Sequence, residues 1–444
     1  MTTPTVEAPA APATDAPPPR WTTAQLIGFR LLFTLGGGLL LLSVWGSLLL
    51  SSVMAPVQTV FGRLGALLTG STYEVIGSYA TGDTVSIWQY HFGWAVTALA
   101  ITAVWTVLDR RRGDYRSLGG LLWQAGRIAL AVGMIYYGLG KAIPSQFVFM
   151  QLPTYALQPV GDISRMNMLW GFMGASDGYS VVTGLIELIS GLLLLSRRTW
   201  IVGALGAIVS MTQVVLMDTF YNVPVKFLAF EFLVIAIAML APQWINLVRV
   251  VLGRAAGPAP SIWRAAGADR TWVRRAAVTV SALAVLAVTA LGTFMGVGSQ
   301  FTLKEARTSL DGTWHATSFR VDGREATLAD RPWTNVAITY RGTGFWERIG
   351  DGFTTFVSQE PDSSIKPWLL EVDGASLTLR ERKDGPETVL SYSQPDPDRL
   401  ILVGSVGGRE ITGNYERRPM KRAAEDVRFT HPQPDTNAPV LDFP

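Results

Sequence analysis

The chain has 444 residues, of which 49% are hydrophobic and only 16% are charged, and its mean hydropathy is +0.27. A typical soluble domain carries about 25% charged residues, so this composition excludes a disordered chain and indicates membrane helices. The formal net charge of +3 is small. It gives no indication of a nucleic-acid partner.

The sequence contains no cysteine and three histidines, His91, His315 and His431, which lie far apart along the chain. The lack of cysteine excludes disulfide exchange, thiolate metal ligands, iron–sulfur clusters and cysteine nucleophiles. Scattered histidines do not favour a metal or haem site. Any chemistry must therefore use carboxylates, lysine, tyrosine, hydroxyl groups, arginine or a single histidine, and we expect neither a metal nor a covalently bound cofactor.

Residues 1–20 are rich in alanine, proline and threonine and predict a disordered cytoplasmic lead. A transmembrane domain is predicted over 21–298. Seven apolar stretches in it are long enough to cross a bilayer at about 1.5 Å per helical residue. They lie at about 24–50, 88–108, 121–139, 178–196, 200–217, 227–248 and 276–297. The shorter stretch 57–68 predicts a helix at the membrane interface.

Basic residues are concentrated at every second end of these spans: at Arg20 before the first span, and then at 110–116, at Arg197 with Arg198, and over 249–275. Cytoplasmic loops are the ones enriched in lysine and arginine. The pattern therefore predicts a cell-membrane protein whose N-terminus is inside. Because the number of spans is odd, everything after Val297 is expected outside the cytoplasm.

An outer segment between Lys141 and Gly178 is too apolar for a solvated loop and too rich in proline and glycine for a span. Its residues 166–172 predict a short helix lying on or in the outer leaflet. This segment either packs as a lid or lines a ligand pocket, and the sequence leaves both open.

Residues 299–420 predict an antiparallel β-barrel or sandwich outside the membrane, because alternating segments are separated by turn signals such as Asp322-Gly323, 350–352 and Asp373-Gly374. Gly312-Thr313-Trp314 resembles the Gly-x-Trp signature of lipocalin-like barrels. Such a barrel either holds an apolar ligand or is filled and only caps the helices. Residues 421–444 predict a flexible tail. The eight candidate strands are TWHATSF, NVAITY, FTTFVS, WLLEV, SLTLRE, TVLSYS, LILVGS and ITGNYE.

Ionisable residues at membrane depth are costly, so each suggests a function. We expect Glu187 to pair with Lys141 or Lys226, either as structural support or as part of a site. Arg30 and Arg127 lie near inner span ends, where their side chains are expected to extend to the cytoplasmic surface. The candidate catalytic residues are Lys141, Glu187, Lys226, Tyr137, His91 and Asp218, and the candidate ligand-binding residues are Trp170, Tyr221, Asn222 and Glu231.

Tyr137-Gly138-Leu139-Gly140-Lys141 resembles the Gly-x-x-Lys that ends the first helix of DoxX-like membrane proteins. Glu187, with the following 191–198, is similar to that family's second helix, and 203–206 and 224–226 match its third and fourth. The resemblance covers about 121–242 and implies a four-helix core connected with quinone-linked oxidation. The layout with an outer β domain is more loosely similar to vitamin K-dependent carboxylase-like membrane proteins, in which a lysine is the base on a hydroquinone.

The first hypothesis is that the chain binds a quinone or isoprenoid-type lipid in an outer-leaflet pocket, as an oxidoreductase subunit or a lipid-modifying enzyme. A quinone needs proton donors at its oxygens, which a lysine, a tyrosine and a carboxylate could supply. Its electrons would come from a redox or protein partner outside the membrane. The alternatives are a lipid or solute binder or transporter that passes its ligand to the β domain, and a membrane-anchored scaffold.

Overall fold

The computed structural model describes residues 20–73, 82–258, 263–265, 267–301, 303, 308–340 and 354–419. The predicted lead before residue 20, the turn at 350–352 and the tail at 421–444 lie outside these residues. The chain divides into two compact units that interleave along the sequence. Unit 1 comprises 1–133, 194–211 and 224–284, and unit 2 comprises 134–193, 212–223 and 285–444.

Seven helices within the described part of the chain are long and apolar enough to cross a membrane, which confirms the seven spans expected from hydropathy. The described residues contain two further α-helices, and the helix predicted over 57–68 is one of them, extending beyond those bounds at its N-terminal end. The seven are α1 Thr23–Leu48, α3 Val85–Leu108, α4 Arg116–Ala142, α6 Asp177–Leu195, α7 Trp200–Phe220, α8 Lys226–Val251 and α9 Thr271–Gln300. The other two are α2 Ser51–Thr69 and α5 Arg165–Gly174.

Helix α1 contains two wider, π-helical stretches, Leu32–Gly36 and Leu40–Trp45. In a π turn the hydrogen bonds span five residues instead of four, and such turns are frequent at functional sites. The carbonyl oxygen of Leu42, in the second stretch, accepts a hydrogen bond from the Gln58 side chain of α2 at 2.7 Å. The wider turn therefore ties α1 to its neighbour through a main-chain atom.

Helices α2 and α3 approach each other at Gly65 and Gly93. A Cβ atom on Gly93 would lie 3.0 Å from the backbone nitrogen of Gly65, and one on Gly65 would overlap the backbone of Gln89. Small residues allow helix backbones in membranes to come this close. The two glycines explain why α2 packs along a spanning helix.

Unit 2 contains a closed antiparallel barrel of eight strands, to which a short strand is added at one edge. All eight predicted strands are present, whereas the two-residue β2 was missed because it is too short to alternate. Pairing runs in sequence order from β3 to β9, and β1 pairs with both β3 and β9 to close the barrel. The strands are β1 Gly312–Val321, β2 Arg324–Glu325, β3 Asn335–Thr339, β4 Thr355–Gln359, β5 Ile365–Asp373, β6 Ser376–Arg380, β7 Glu387–Asp396, β8 Arg399–Val406 and β9 Arg409–Arg417.

Buried apolar side chains fill the barrel interior in the described residues. The core includes Trp314, Trp333 and Trp368 together with leucines from β5 to β8. Trp314, from the Gly-x-Trp motif, is fully buried and donates its indole N–H to the carbonyl of Leu310 at 3.1 Å. Of the two alternatives for this domain, the structure therefore shows the filled barrel.

The segment between α4 and α6 packs against the barrel within unit 2. The hydroxyl of Thr339 in β3 donates to that of Thr154 at 3.1 Å, and the Gln359 amide donates to the Leu157 carbonyl at 3.2 Å. Leu157 also packs on Ala337 and Val357. These contacts explain the apolar composition of the segment, since it covers strands β3 and β4.

Candidate functional site

Lys141 of α4 and Glu187 of α6 form a buried ion pair in unit 2. The Lys141 ammonium lies 2.8 Å from the Glu187 carboxylate, and only 8% and 4% of the two side chains are exposed. Of the two partners expected for Glu187, the structure shows Lys141. Removing two charges from water costs several kcal/mol per ion, so this pair needs a close approach of its two helices.

Two glycines allow α4 and α6 to come this close. Gly138 precedes Lys141 by three residues, and Gly184 precedes Glu187 by three, so each lies on the same helical face as its charged residue. A Cβ atom on Gly138 would lie 2.6 Å from the backbone nitrogen of Leu188 and 2.9 Å from the carbonyl oxygen of Gly184. Gly184 in turn lies against the backbone of Lys141 and Ala142, so α4 and α6 run antiparallel here. The helix backbones touch at the glycines, which brings Lys141 and Glu187 within reach of each other.

Tyr137 and Asp218 belong to the same unit. The phenol of Tyr137 lies within range of the carboxylates of Asp218 and Glu187. Asp218, near the end of α7, is itself 5% exposed. These two residues together with Lys141 and Glu187 are called the lysine cluster below.

The lysine cluster contains one ammonium, one phenol and two carboxylates, all of them groups that can exchange protons or hydrogen bonds with a ligand. The ammonium has three N–H donors, of which the contact to Glu187 uses one. The arrangement can therefore donate hydrogen bonds or protons to oxygen atoms of a ligand.

Trp170, Tyr221 and Asn222 also belong to unit 2. Trp170 of α5 packs edge-on against Phe147 at 5.3 Å between ring centroids. Tyr221 is 38% exposed, and Asn222 occupies the left-handed region with φ of 57° in the turn after α7. Their predicted contact with a ligand stays a prediction.

The remaining candidates, His91, Lys226 and Glu231, are brought together in unit 1. His91 Nε2 lies 3.1 Å from a carboxylate oxygen of Glu231. Lys226 forms an ion pair with Asp83 at 3.1 Å, and of the two pairings expected for Glu187 the structure shows the one with Lys141. The ten residues expected around one pocket are thus shared between the two units.

Three further residues of unit 1 lie beside His91, Lys226 and Glu231, and none of them was predicted from the sequence: Ser43, Asp83 and Tyr90. The Ser43 hydroxyl donates to Glu231 at 2.6 Å. Asp83 accepts hydrogen bonds from both the backbone and the side chain of Lys226. Ser43 gave no signal because it is one hydroxyl in an apolar span, whereas Asp83 could have been noticed as an acidic residue at a span boundary.

Arg30 and Arg127 do not extend to an aqueous surface, contrary to the expectation for both, since they are 2% and 5% exposed. Arg30 donates to the Tyr115 hydroxyl at 3.0 Å and to the Asp109 carbonyl at 2.6 Å. Arg127 donates to the carbonyl of Leu194 at 3.2 Å. Carbonyls at the ends of helices lack partners within their own helix, so they can satisfy a buried guanidinium.

No family model, curated protein or solved structure matches the chain. Among the described residues, no group of three or more histidine, aspartate or glutamate side chains is arranged to hold a metal ion. The function must therefore be inferred from the geometry of the two groups of buried polar residues, one in each unit.

Proposed function

We propose that this protein binds the oxygen-bearing head of a quinone or another isoprenoid-type lipid at the lysine cluster. The buried Lys141–Glu187 pair, with its 2.8 Å contact, carries the proposal. Charged side chains inside membrane spans are rare, and they commonly belong to substrate or proton pathways. The resemblance of the surrounding spans to DoxX-like proteins supports the same ligand class.

The chemistry of the cluster suits such a head group. The Lys141 ammonium can donate to a quinone oxygen through an N–H group that does not bond Glu187. Tyr137 can donate a second hydrogen bond, and the nearby carboxylates can hold protons that a reduced quinone takes up. Electrons would come from a partner outside the membrane.

The proposed location is the cell membrane, with the N-terminus in the cytoplasm and the barrel outside. The basic residues at 110–116, 197–198 and 249–275 support this orientation. In it the lysine cluster lies toward the outer side of the membrane, which an isoprenoid lipid reaches by lateral diffusion.

The filled barrel disfavours the alternative in which a ligand passes into the β domain. Its core is occupied by tryptophan, phenylalanine and leucine side chains. We therefore propose that the ligand stays with the helices. In a scaffold role the barrel would instead bind a protein partner. The lipid measurement described next distinguishes that role from lipid binding.

Mass spectrometry of lipids that co-purify with the protein in mild detergent tests the proposal. We expect the wild type to retain a quinone or isoprenoid lipid, and the double variant Lys141→Met/Glu187→Gln to lose it. The matched control is Lys226→Met/Asp83→Asn, which removes an ion pair of the same type from unit 1 and should retain the lipid.

The stability of each variant must be measured beside the lipid content. Lys141→Met alone leaves Glu187 buried without its cation and should cost about 3–5 kcal/mol, whereas the double variant should recover most of that loss. A stable double variant that still retains the lipid would contradict the proposal. Bulk phospholipid alone in the wild type would favour the scaffold.

A further inference from the structure

We propose that His91 and Glu231 form a buried proton-binding site, in which His91 is held as an imidazolium and exchanges its proton with water through a small cavity beside Ser43. Both side chains are nearly buried, at 10% and 12% exposed. The site lies wholly within unit 1 and does not depend on the proposed lipid ligand.

The hydrogen bonds of the His91 imidazole require one proton more than a neutral ring and an ionised Glu231 together carry. His91 Nδ1 lies 2.8 Å from the carbonyl oxygen of Ile87, one helical turn earlier in α3. A carbonyl oxygen only accepts, so Nδ1 must carry a hydrogen. In the neutral ring Nε2 would then be an acceptor, yet it faces a carboxylate oxygen of Glu231 at 3.1 Å. A proton between these two atoms resolves the conflict.

The second oxygen of Glu231 indicates where that proton lies. It accepts the Ser43 hydroxyl at 2.6 Å, a length typical of a hydroxyl bonded to an ionised carboxylate. With Glu231 ionised, the proton belongs to Nε2 of His91. The Phe227 ring stacks on the imidazole at 4.4 Å between centroids, and an aromatic face attracts a cation.

The local sequence explains the assembly. Phe227 and Glu231 are four residues apart on α8, so one helical face presents both the aromatic ring and the carboxylate. The π-helical stretch Leu40–Trp45 of α1 places the Ser43 hydroxyl against Glu231. Three helices thus each contribute one part of the site.

A cavity of about 10 Å³ lies beside Ser43, which is about the space that one water molecule needs. Asp83 and Tyr90 also line the cavity and offer polar partners. Asp83 pairs with Lys226, whose side chain is 36% exposed, so the polar contacts continue toward the surface. In the described part of the chain, the charged and titratable groups around the pair thus include Asp83, Lys226 and Tyr90.

Proton release conserves every other bond. The proton on Nε2 moves to the facing oxygen of Glu231, and a half-turn of the neutral carboxyl group brings that oxygen to Ser43. The Ser43 hydroxyl turns toward the cavity, gives its own proton to water and takes the carboxyl proton in its place. The imidazole is left neutral and the carboxylate ionised. Reversal of these transfers reloads the site without an oxidant or a reductant.

Nitrogen NMR of protein labelled with ¹⁵N-histidine in phospholipid nanodiscs at pH 7 tests the proposal. The chain has only three histidines, so the spectrum is simple, and His91→Asn assigns the signal. We expect both ring nitrogens of His91 to carry protons in the wild type. In Glu231→Gln we expect Nε2 to lose its proton while Nδ1 keeps its own. His315, which bonds Asn335 on the barrel, is the internal reference.

Asp83→Asn is the matched control, because it neutralises the neighbouring carboxylate and leaves Glu231 in place. It should leave His91 doubly protonated. A neutral His91 in the wild type would overturn the proposal, and that measurement needs no variant to fold. Equal effects of Asp83→Asn and Glu231→Gln would overturn the role of Glu231.

The exchange route has its own test. Ser47 lines the cavity, and Ser47→Val should fill the space of the water molecule. We expect exchange of the Nε2 proton with water to slow at least several-fold, with the protonation state unchanged. An unchanged exchange rate would exclude this cavity as the route.

Discussion

Buried polar side chains in the helices and in the barrel are stabilised differently. In the helices, Lys141 is buried beside the carboxylate of Glu187, and Arg30 bonds a hydroxyl and a carbonyl. In the barrel, the hydroxyl of Tyr415 is buried with no hydrogen-bond partner among the described residues. An unsatisfied buried hydroxyl costs about 1–3 kcal/mol, so this residue lowers the stability of the barrel.

Replacing Tyr415 with phenylalanine should raise the free energy of unfolding by about 1 kcal/mol at pH 7, because the hydroxyl has no bond to lose. Burial raises the pKa of the Tyr415 phenol far above its usual range, with a smaller opposing effect of Arg331. The unfolded chain ionises this phenol from about pH 10, so the wild type loses stability as the pH rises above that value. The gain from Tyr415→Phe should therefore grow in alkaline solution.

Unfolding of the full chain in detergent, followed by tryptophan fluorescence at pH 7 and above pH 10, measures this effect. Tyr392→Phe is the control, since its hydroxyl donates to the Gly374 carbonyl at 3.1 Å near the barrel surface. It should lose stability slightly at pH 7. A loss of stability in Tyr415→Phe at pH 7 would reveal a partner for its hydroxyl.

At the scale of helices, glycine positions decide which charges meet. Gly138 and Gly184 let α4 and α6 touch, and this close approach brings Lys141 and Glu187 into contact. Gly65 and Gly93 likewise let the backbones of α2 and α3 come close together. In a membrane, where lipid is as apolar as a leucine side chain, such close packing is a main source of helix association.

Gly138→Ala should destabilise the protein by about 1–3 kcal/mol, because its methyl group would overlap backbone atoms of α6. Gly140→Ala, two residues later in the same helix, is the matched control. Its Cβ atom would find Gln146 at an ordinary 3.7 Å, so the substitution should be neutral or stabilise the helix slightly. Thermal unfolding in detergent compares the two, and equal effects would contradict the role of the α4–α6 approach.

For the whole molecule, the chain combines seven apolar helices with a closed barrel, and its charge pattern predicts on which side of the membrane each part lies. The chain lacks cysteine, so single cysteines can report that arrangement without background. The loop between α3 and α4 and the turn between β6 and β7 contain exposed positions, Arg111 and Lys383.

A membrane-impermeant maleimide should label Lys383→Cys in intact cells and Arg111→Cys only after the membrane is permeabilised. The cysteine-free wild type gives the blank. The reverse labelling would invert the proposed orientation, and labelling of both positions in intact cells would contradict an odd number of spans between them.

The sequence by itself determined the seven helices and the eight main strands. Apolar stretches report the thickness of a bilayer directly, and alternation with turn residues such as Asp373-Gly374 marks hairpins between strands that are adjacent in the chain. It also identified Lys141, Glu187, His91 and Glu231 as unusual, because a charge or an imidazole in an apolar span is conspicuous.

Only the tertiary structure decided the partners. Glu187 pairs with Lys141 because two glycines bring α4 and α6 together, and Lys226 pairs with Asp83 instead. The closure of β1 on β9 and the filling of the barrel likewise join residues far apart in the chain. Contacts between distant segments depend on how backbones pack, and hydropathy along the chain carries no record of that packing.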